Sequence, residues 1–314
     1  VPNLQYGGRV TGFIRTNSAL YMTGDDTSGA IGANDLNISR SSPVQLGTQA
    51  ATTTIQQLRP TLVATGSWTQ VAAGSCHTMA IKSDKTLWGW GNFAAGDSTS
   101  KVLFWRSVAA GASNTYAIRS DGALFAWGYN IYGQIGDGTA VNRSSPVQIG
   151  TSSWTMISTP YDGRQAAGIL TSGALFVWGQ NSTGAVGDNT IIARSSPVQI
   201  GSSSWTMVAC GAVTAGLTVN GLLYVWGSNQ NGEVGDNSIV NRSSPVQIGT
   251  SSWSQIFGNK YIFALKAAGS LWSWGYNVQG NIGDNSAVNR SSPVQIGTNS
   301  WTMASSGEIG RAHV

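Results

Sequence analysis

A short phrase, Leu-x-x-Trp-Gly, recurs in this chain at 87–91, 124–128, 175–179, 223–227 and 271–275, with a degenerate copy, "LYMTG", at 20–24. Self-similarity at roughly this period is the signature of an array of small units that bury their faces against one another. Two more phrases keep step. A tryptophan followed by a short apolar run stands at Trp68, Trp105, Trp154, Trp205, Trp253 and Trp301. "RSSPVQ" begins at Arg40, Arg143, Arg194, Arg242 and Arg290, and the second repeat lacks it. The stretches 235–253 and 283–301 agree at seventeen of nineteen positions, which points to a recent internal duplication. Six modules follow, starting near 1, 68, 105, 154, 205 and 253, and a seventh opens at Trp301.

Each module holds runs of strand length, such as "WTMVACG", "AGLTVNG" and "LLYVWG". They alternate in polarity, are rich in Val, Leu and aromatics, and are bounded by Gly, Asn, Asp or Pro. No stretch keeps a capped 3.6-residue period. The reading is all-β. Four-stranded antiparallel blades at this period make a β-propeller, here one domain over residues 1–307. A chain of 314 residues supports a sizeable core. Charged residues make up only 10%, against about 25% in an average soluble domain. The net charge of +4 is thinly spread with no basic run, so nucleic acid is not expected as a partner. No apolar run is long enough to insert in a membrane as a helix. Cys76 and Cys210 occupy different positions of different repeats and are expected as buried free thiols.

"VAAGSCHTMAIKSDKTLWGWGN" and "LFAWGYNIYGQIGDGT" resemble the repeat of the regulator of chromosome condensation family, and the resemblance spans residues 1–307. It implies a propeller, usually of seven blades. Seven are favoured for the intact protein, with a closed six-bladed ring as the alternative. The family includes a nucleotide exchange factor for the small GTPase Ran and a secreted bacterial inhibitor of β-lactamase. The type expected here is bacterial or viral. Residues 308–314, "EIGRAHV", back-translate to a sequence resembling a common sequencing adapter. They are expected to be a non-native tail on a metagenomic fragment.

The motif Asn-x-x-Gly-x-x-Gly-Asp stands at Asn130–Asp137, Asn181–Asp188, Asn229–Asp236 and Asn277–Asp284. Glycine permits positive φ, and Asn and Asp bond nearby backbone, so a structural turn is expected. Each loop offers too few converging oxygens for calcium. Arg143, Arg194, Arg242 and Arg290 each lie six residues after that Asp. A blade-internal ion pair of surface strength is expected, the rival being an arginine ring for anions. The Trp-Gly tryptophans Trp90, Trp127, Trp178, Trp226 and Trp274 read as wedges between blades, while Trp88 and Trp272 lie on the opposite strand face. His77 matches a family position that is usually structural. No nucleophile–base set, carboxylate pair or His/Cys cluster can be assembled, so no enzyme activity, cofactor or metal is expected.

Function is sought where the modules differ. The variable stretch after each first strand reads "GGRVTGF", "GSCHTMA", "GASNTYA", "TPYDGRQAAGI", "GAVTAGL" and "GNKYIFA", and the fourth module gains three residues there. These turns are expected on one propeller face. They offer Arg9, His77, Asn114, Tyr116, Tyr161, Asp162, Arg164, Gln165, Asn259, Lys260 and Tyr261 for partner binding. The insertion "TQAATTTIQQLRPTLVATG" at 48–66 reads as a partner-binding flap or a long excursion. The expected function is non-enzymatic recognition of a protein or glycan, on a secreted or virion surface, with a cytoplasmic setting still open. A structural or decorating propeller and a regulator similar to the Ran exchange factor are the alternatives.

Overall fold

The computed structural model describes residues 67–74, 77–91, 105–250, 252–258 and 261–301, and the backbone of five earlier strands. These are β1 (Leu4–Gly7), β2 (Val10–Ile14), β3 (Leu20–Asp26), β4 (Val44–Gln45) and β5 (Ile55–Ala64). The tail and the seventh module beyond Trp301 lie outside the described residues. Then come β6 (Trp68–Ala73), β7 (His77–Lys82) and β8 (Leu87–Gly91). The third module holds β9 (Trp105–Ala110), β10 (Asn114–Arg119), β11 (Leu124–Gly128) and β12 (Arg143–Gln148). The fourth holds β13 (Trp154–Ser158), β14 (Gln165–Leu170), β15 (Leu175–Gly179) and β16 (Arg194–Gln199). The fifth holds β17 (Trp205–Cys210), β18 (Val213–Thr218), β19 (Leu223–Gly227) and β20 (Arg242–Gln247). The sixth holds β21 (Trp253–Gly258), β22 (Tyr261–Lys266), β23 (Leu271–Gly275) and β24 (Arg290–Gln295).

Among the described residues these strands make six four-stranded antiparallel sheets, the blades of a propeller. Blades 3 to 6 are plain meanders, each built from one module. Their second strands are buried almost end to end, while the "RSSPVQ" strands are half-exposed throughout. That gradient explains the proline in the phrase. Pro146, Pro197, Pro245 and Pro293 sit on outer strands with a neighbour on one side only, where a missing N–H breaks no ladder.

The first two blades depart from the sequence reading. The "RSSPVQ" phrase of module 1 does not complete its own blade. Its strand β4 pairs with β8, with Val44 opposite Gly89 and Gln45 opposite Trp88. This is the register that Val147 and Gln148 take against Ala126 and Phe125 in blade 3. The second repeat, which lacks the phrase, therefore borrows it. Blade 1 is closed instead by β5, which pairs with β3 from Leu20↔Ala64 to Asp26↔Ile55. The insertion expected as a flap or excursion thus supplies a structural strand.

The core lies between blades. Ile118, Leu124, Ile135, Trp154 and Trp178 form one cluster across blades 3 and 4, and Val177, Val186, Trp205, Val208 and Trp226 repeat it across blades 4 and 5. Trp127, Trp178, Trp226 and Trp274 are at most 1% exposed, as wedges should be. The side chain of Trp90 lies outside the described residues.

Three of these wedges also latch the loop of the preceding blade. Trp178 Nε1 donates to Gln134 O at 2.8 Å, Trp226 Nε1 to Ala185 O at 3.0 Å and Trp274 Nε1 to Glu233 O at 3.1 Å. The next glycine of the motif lies flat against the indole. A Cβ at Gly136, Gly187 or Gly235 would stand 2.4–2.6 Å from that same Nε1. The loop also docks on the next blade's Ser-Ser strand. Gly138, Asn189 and Asn237 donate their N–H to the carbonyls of Ser195, Ser243 and Ser291 at 2.7–2.8 Å. Both halves of the repeated phrase therefore serve one joint. Trp127 follows the shortened second repeat, and among the described residues its buried indole N–H has no partner.

Candidate interaction face

Strand register puts the variable turns and the Asn-Gly loops at one end of the blades. In every blade from 2 to 6 the first residue of the second strand faces the Trp-Gly glycine, as in His77↔Gly91 and Gln165↔Gly179. That residue has no side chain opposite, and its own side chain turns inward. The expected binding residues sort accordingly. His77, Asn114, Tyr116, Gln165 and Tyr261 are all buried, at 0–6% exposure. They do not present themselves to a partner, which corrects their placement on exposed turns. Tyr161 is half-buried, and Asp162 and Arg164 are exposed. Arg9, Asn259 and Lys260 lie outside the described residues.

The buried members hold the face rather than forming it. His77 Nε2 meets Thr115 Oγ1 of the next blade at 3.0 Å. Burial lowers its pKa to about 4, so the ring is neutral near pH 7. Asn114 Nδ2 donates to the carbonyl of Gly163 across the blade 3–4 boundary. A Cβ at Gly111 would stand 2.5 Å from Gly163 Cα, so the two turns touch backbone to backbone. Tyr116 OH donates to Gln134 O at 2.5 Å, the carbonyl that also receives Trp178. Burial raises the phenol pKa and also pushes the nearby Cys210 thiol up to about 12. Cys210 is free, as expected, and Cys76 lies outside the described residues.

On this support the three-residue insertion of module 4 forms a fixed loop. Gly163, at φ +66°, closes a turn with its N–H on Pro160 O at 2.9 Å. Thr159 Oγ1 caps Gln165 O at 2.9 Å, and Arg164 N–H bonds Asp162 Oδ1 at 3.2 Å. The Arg164 guanidinium then lies 5.8 Å from the ring centre of Tyr132 in the blade 3 loop. Beside Tyr132 stand Tyr129 and Ile131, 39% and 48% exposed. The corresponding triplets in blades 4 and 5 are Gln180/Ser182/Thr183 and Ser228/Gln230/Asn231, all polar. At the corner between blades 3 and 4, Arg164 therefore lies over Tyr132, on a loop that also exposes Tyr129 and Ile131. The sequence reading found Tyr161, Asp162 and Arg164 there. It missed Tyr129, Ile131 and Tyr132, although the variation just after Trp-Gly was a usable signal.

The repeated arginines do not form a free cationic ring. Arg194 and Arg290 Nε bond Asp188 and Asp284 Oδ2 at 2.6 Å, and Arg143 and Arg242 pair with Asp137 and Asp236 in the same way. The Asp side chains are only 2–7% exposed, so these pairs are more buried than a surface estimate assumes. Burial alone raises each carboxyl pKa. Bonds from the hydroxyl two residues on and from the arginine outweigh it and leave the pKa lowered. Trp88 and Trp272 are half-buried against Trp68 and Trp253, with Lys82 and Lys266 over their rings at 4.1 and 4.0 Å. Among the described residues no three His, Cys, Asp or Glu side chains gather as a metal site.

Comparison with known proteins agrees with this architecture. Human WBSCR16 superposes with a TM-score of 0.74 at 18% identity, over 94% of this chain and 81% of that one. Prp20p of Saccharomyces cerevisiae, in its structure bound to Kap60, gives 0.77 at 17% identity over 94% and 74%. The ultraviolet-B receptor UVR8 of Arabidopsis thaliana is 26% identical over 160 residues, 45% of this chain and 36% of that protein. The chain thus matches about a third of the length of that curated relative. Family models of the regulator of chromosome condensation (RCC1) repeat match residues 68–98, 105–134, 121–159, 172–214 and 220–262. Together they cover more than half of the sequence, and the chain belongs to the RCC1 repeat family.

Proposed function

We propose that this propeller is a non-enzymatic recognition module that engages a protein partner through the corner between blades 3 and 4. The observation that carries the reading is the Arg164–Tyr132 contact between the blade 3 and blade 4 loops, which also present Tyr129, Ile131 and Tyr161, on a base fixed by Asn114 and Gly163. Tyr and Arg dominate binding hot spots because they bury large area and lose little entropy. Loops on a fixed scaffold are the usual carriers of binding. Relatives of the fold are consistent with a protein ligand. Prp20p was characterised for binding to Gsp1p and histones and was solved with Kap60. The exchange-factor alternative draws only on that shared fold. The setting we propose is a secreted or virion surface, on the ground that Ser, Thr, Asn and Gln replace charge in most polar positions.

The test compares three immobilised proteins against extract and secreted fraction from the source: the chain itself, Tyr161→Ala/Arg164→Ala, and the opposite-face control Asp121→Ala. A partner retained by the chain and the control but lost to the double variant supports the corner. A partner retained equally by all three sinks it.

A further inference from the structure

The chain contains two Asn-Gly pairs, Asn220-Gly221 and Asn231-Gly232. The fold treats them oppositely. Asn220 and Gly221 make the tip of the turn between β18 and β19, closed by the Gly221 N–H on Thr218 O at 2.9 Å. Asn220 is exposed, beside Val219 at 64% exposure. In blades 2 to 6 this turn position holds Asp84, Asp121, Ser172, Asn220 and Ala268. Asp84 and Asp121 fold Oδ1 back onto the N–H two residues on, at 2.9 and 3.1 Å, and Ser172 Oγ does so at 3.4 Å. In blade 5 that N–H, of Leu222, goes to Thr218 Oγ1 at 3.2 Å instead. Among the described residues no hydrogen bond holds the Asn220 amide. Asn231 is held on both sides. Its Nδ2 donates to Glu233 Oε1 at 2.7 Å and its Oδ1 accepts from Asn289 Nδ2 at 3.0 Å. Gly232 is buried, and a Cβ on it would stand 2.4 Å from Ser291 Cα of the next blade.

We infer that Asn220 is a self-modification site, at which the native chain loses a side-chain amide while Asn231 keeps its own. The Gly221 nitrogen, once deprotonated by base, attacks Asn220 Cγ. An N–Cγ bond forms, the Cγ–Nδ2 bond breaks, and the amide nitrogen leaves with a proton as ammonia. Water then opens the cyclic imide at either carbonyl, giving aspartate or its β-linked isomer. Glycine at 221 has no Cβ to obstruct ring closure. The bond from Gly221 to Thr218 must open first, and at an exposed hairpin tip such opening takes little free energy. Closure at Asn231 requires blades 5 and 6 to part. The aspartate product is the residue type of blades 2 and 3 at this position and fits the turn. The β-linked product adds a backbone carbon just ahead of Gly221, whose carbonyl takes the Trp253 N–H of blade 6 at 2.9 Å. Modification thus puts a negative charge on the end of blade 5 opposite the candidate face, and its β-linked fraction loosens the joint to blade 6.

The test holds the native chain at mildly alkaline pH and follows amide-to-acid conversion at each pair by chymotryptic peptide mapping. Asn220 should convert about tenfold or more faster than Asn231, because closure at Asn231 waits on local opening. In denaturant the two should convert at similar rates, since each is followed by glycine. Equal rates in the native chain, or an Asn220 that converts only in denaturant, overturns the proposal. Carboxyl methylation by an isoaspartyl methyltransferase then measures the β-linked fraction, and hydrogen exchange of the Trp253 N–H reads the joint. Exchange should be faster in the β-linked form and unchanged in Asn220→Asp. The same exchange in both forms overturns the loosening.

Discussion

Replacing Asp188 by Asn tests whether the repeated Asp–Arg pair is a true element of the joint. Asp188 Oδ1 accepts from Asn181 Nδ2 at 3.2 Å, Thr190 N at 3.1 Å and Thr190 Oγ1 at 2.7 Å, while Oδ2 takes Arg194 Nε at 2.6 Å. An amide can keep the first set but turns an NH2 toward the guanidinium. Breaking a buried pair costs about 3–5 kcal/mol. Arg194 is 34% exposed and can turn to water, which brings the expected loss down to about 2–3 kcal/mol. An unfolding entropy of about 2.1 cal/mol/K per residue over 314 residues makes that about 3–5 °C in melting temperature. The assay is thermal unfolding followed by circular dichroism at several pH values. The carboxyl pKa is lowered in the folded state, so its stabilisation is full above the unfolded value of 3.8 and is lost as pH falls through the folded value. The gap in stability between the parent chain and the Asp188→Asn variant should be open at pH 7 and close below about pH 3.8. Loss under about 0.5 kcal/mol at pH 7 would refute the argument and return the pair to surface strength.

Trp226→Phe removes the indole bond to Ala185 O, a carbonyl that Thr214 Oγ1 still satisfies at 2.7 Å. The expected loss by chemical denaturation is about 1–3 kcal/mol, from one hydrogen bond and a small void. His77→Asn, which installs the residue type of the same position in blade 3, should remove an acid sensitivity. The folded pKa near 4 lies below the unfolded 6.5, so the native chain loses about 3 kcal/mol as pH falls from 6.5 to 4 and the variant does not. A variant with the same acid profile as the parent would count against neutral burial of His77. Cys210, with its thiol pKa raised to about 12, should resist maleimide at pH 7.5 in the native protein and react on unfolding, as followed by peptide mass mapping.

Much of this fold can be read from phrase spacing. The Trp-Gly period names the blades, and the six-residue offset from Asp137 to Arg143 names a pair that the structure contains. What the spacing does not carry is which blade a strand joins. "RSSPVQ" at 40–45 reads as part of module 1 because it follows module 1, yet its partner β8 is chosen by the empty edge of blade 2. The candidate face was half legible for a related reason. Residues after a turn look exposed in sequence, but His77, Asn114 and Gln165 open strands opposite a glycine, and the space it leaves draws them inward. Tyr129 and Ile131 flank a buried Asn130. Their alternation was visible, but the contact of the next residue, Tyr132, with Arg164 arises only when two blades meet.

The crossing of β4 and β5 has a consequence for how such a chain can change over generations. Blades 3 to 6 each draw all four strands from one contiguous segment, so a whole repeat can be copied or dropped without orphaning a neighbour. The near-duplicate phrases at 235–253 and 283–301 show that kind of edit. Blade 2 is stitched to module 1, because excising module 1 strips blade 2 of its outer strand β4. The first ninety or so residues are therefore inherited as a single block, and variation in repeat number is confined to the part of the ring that follows it.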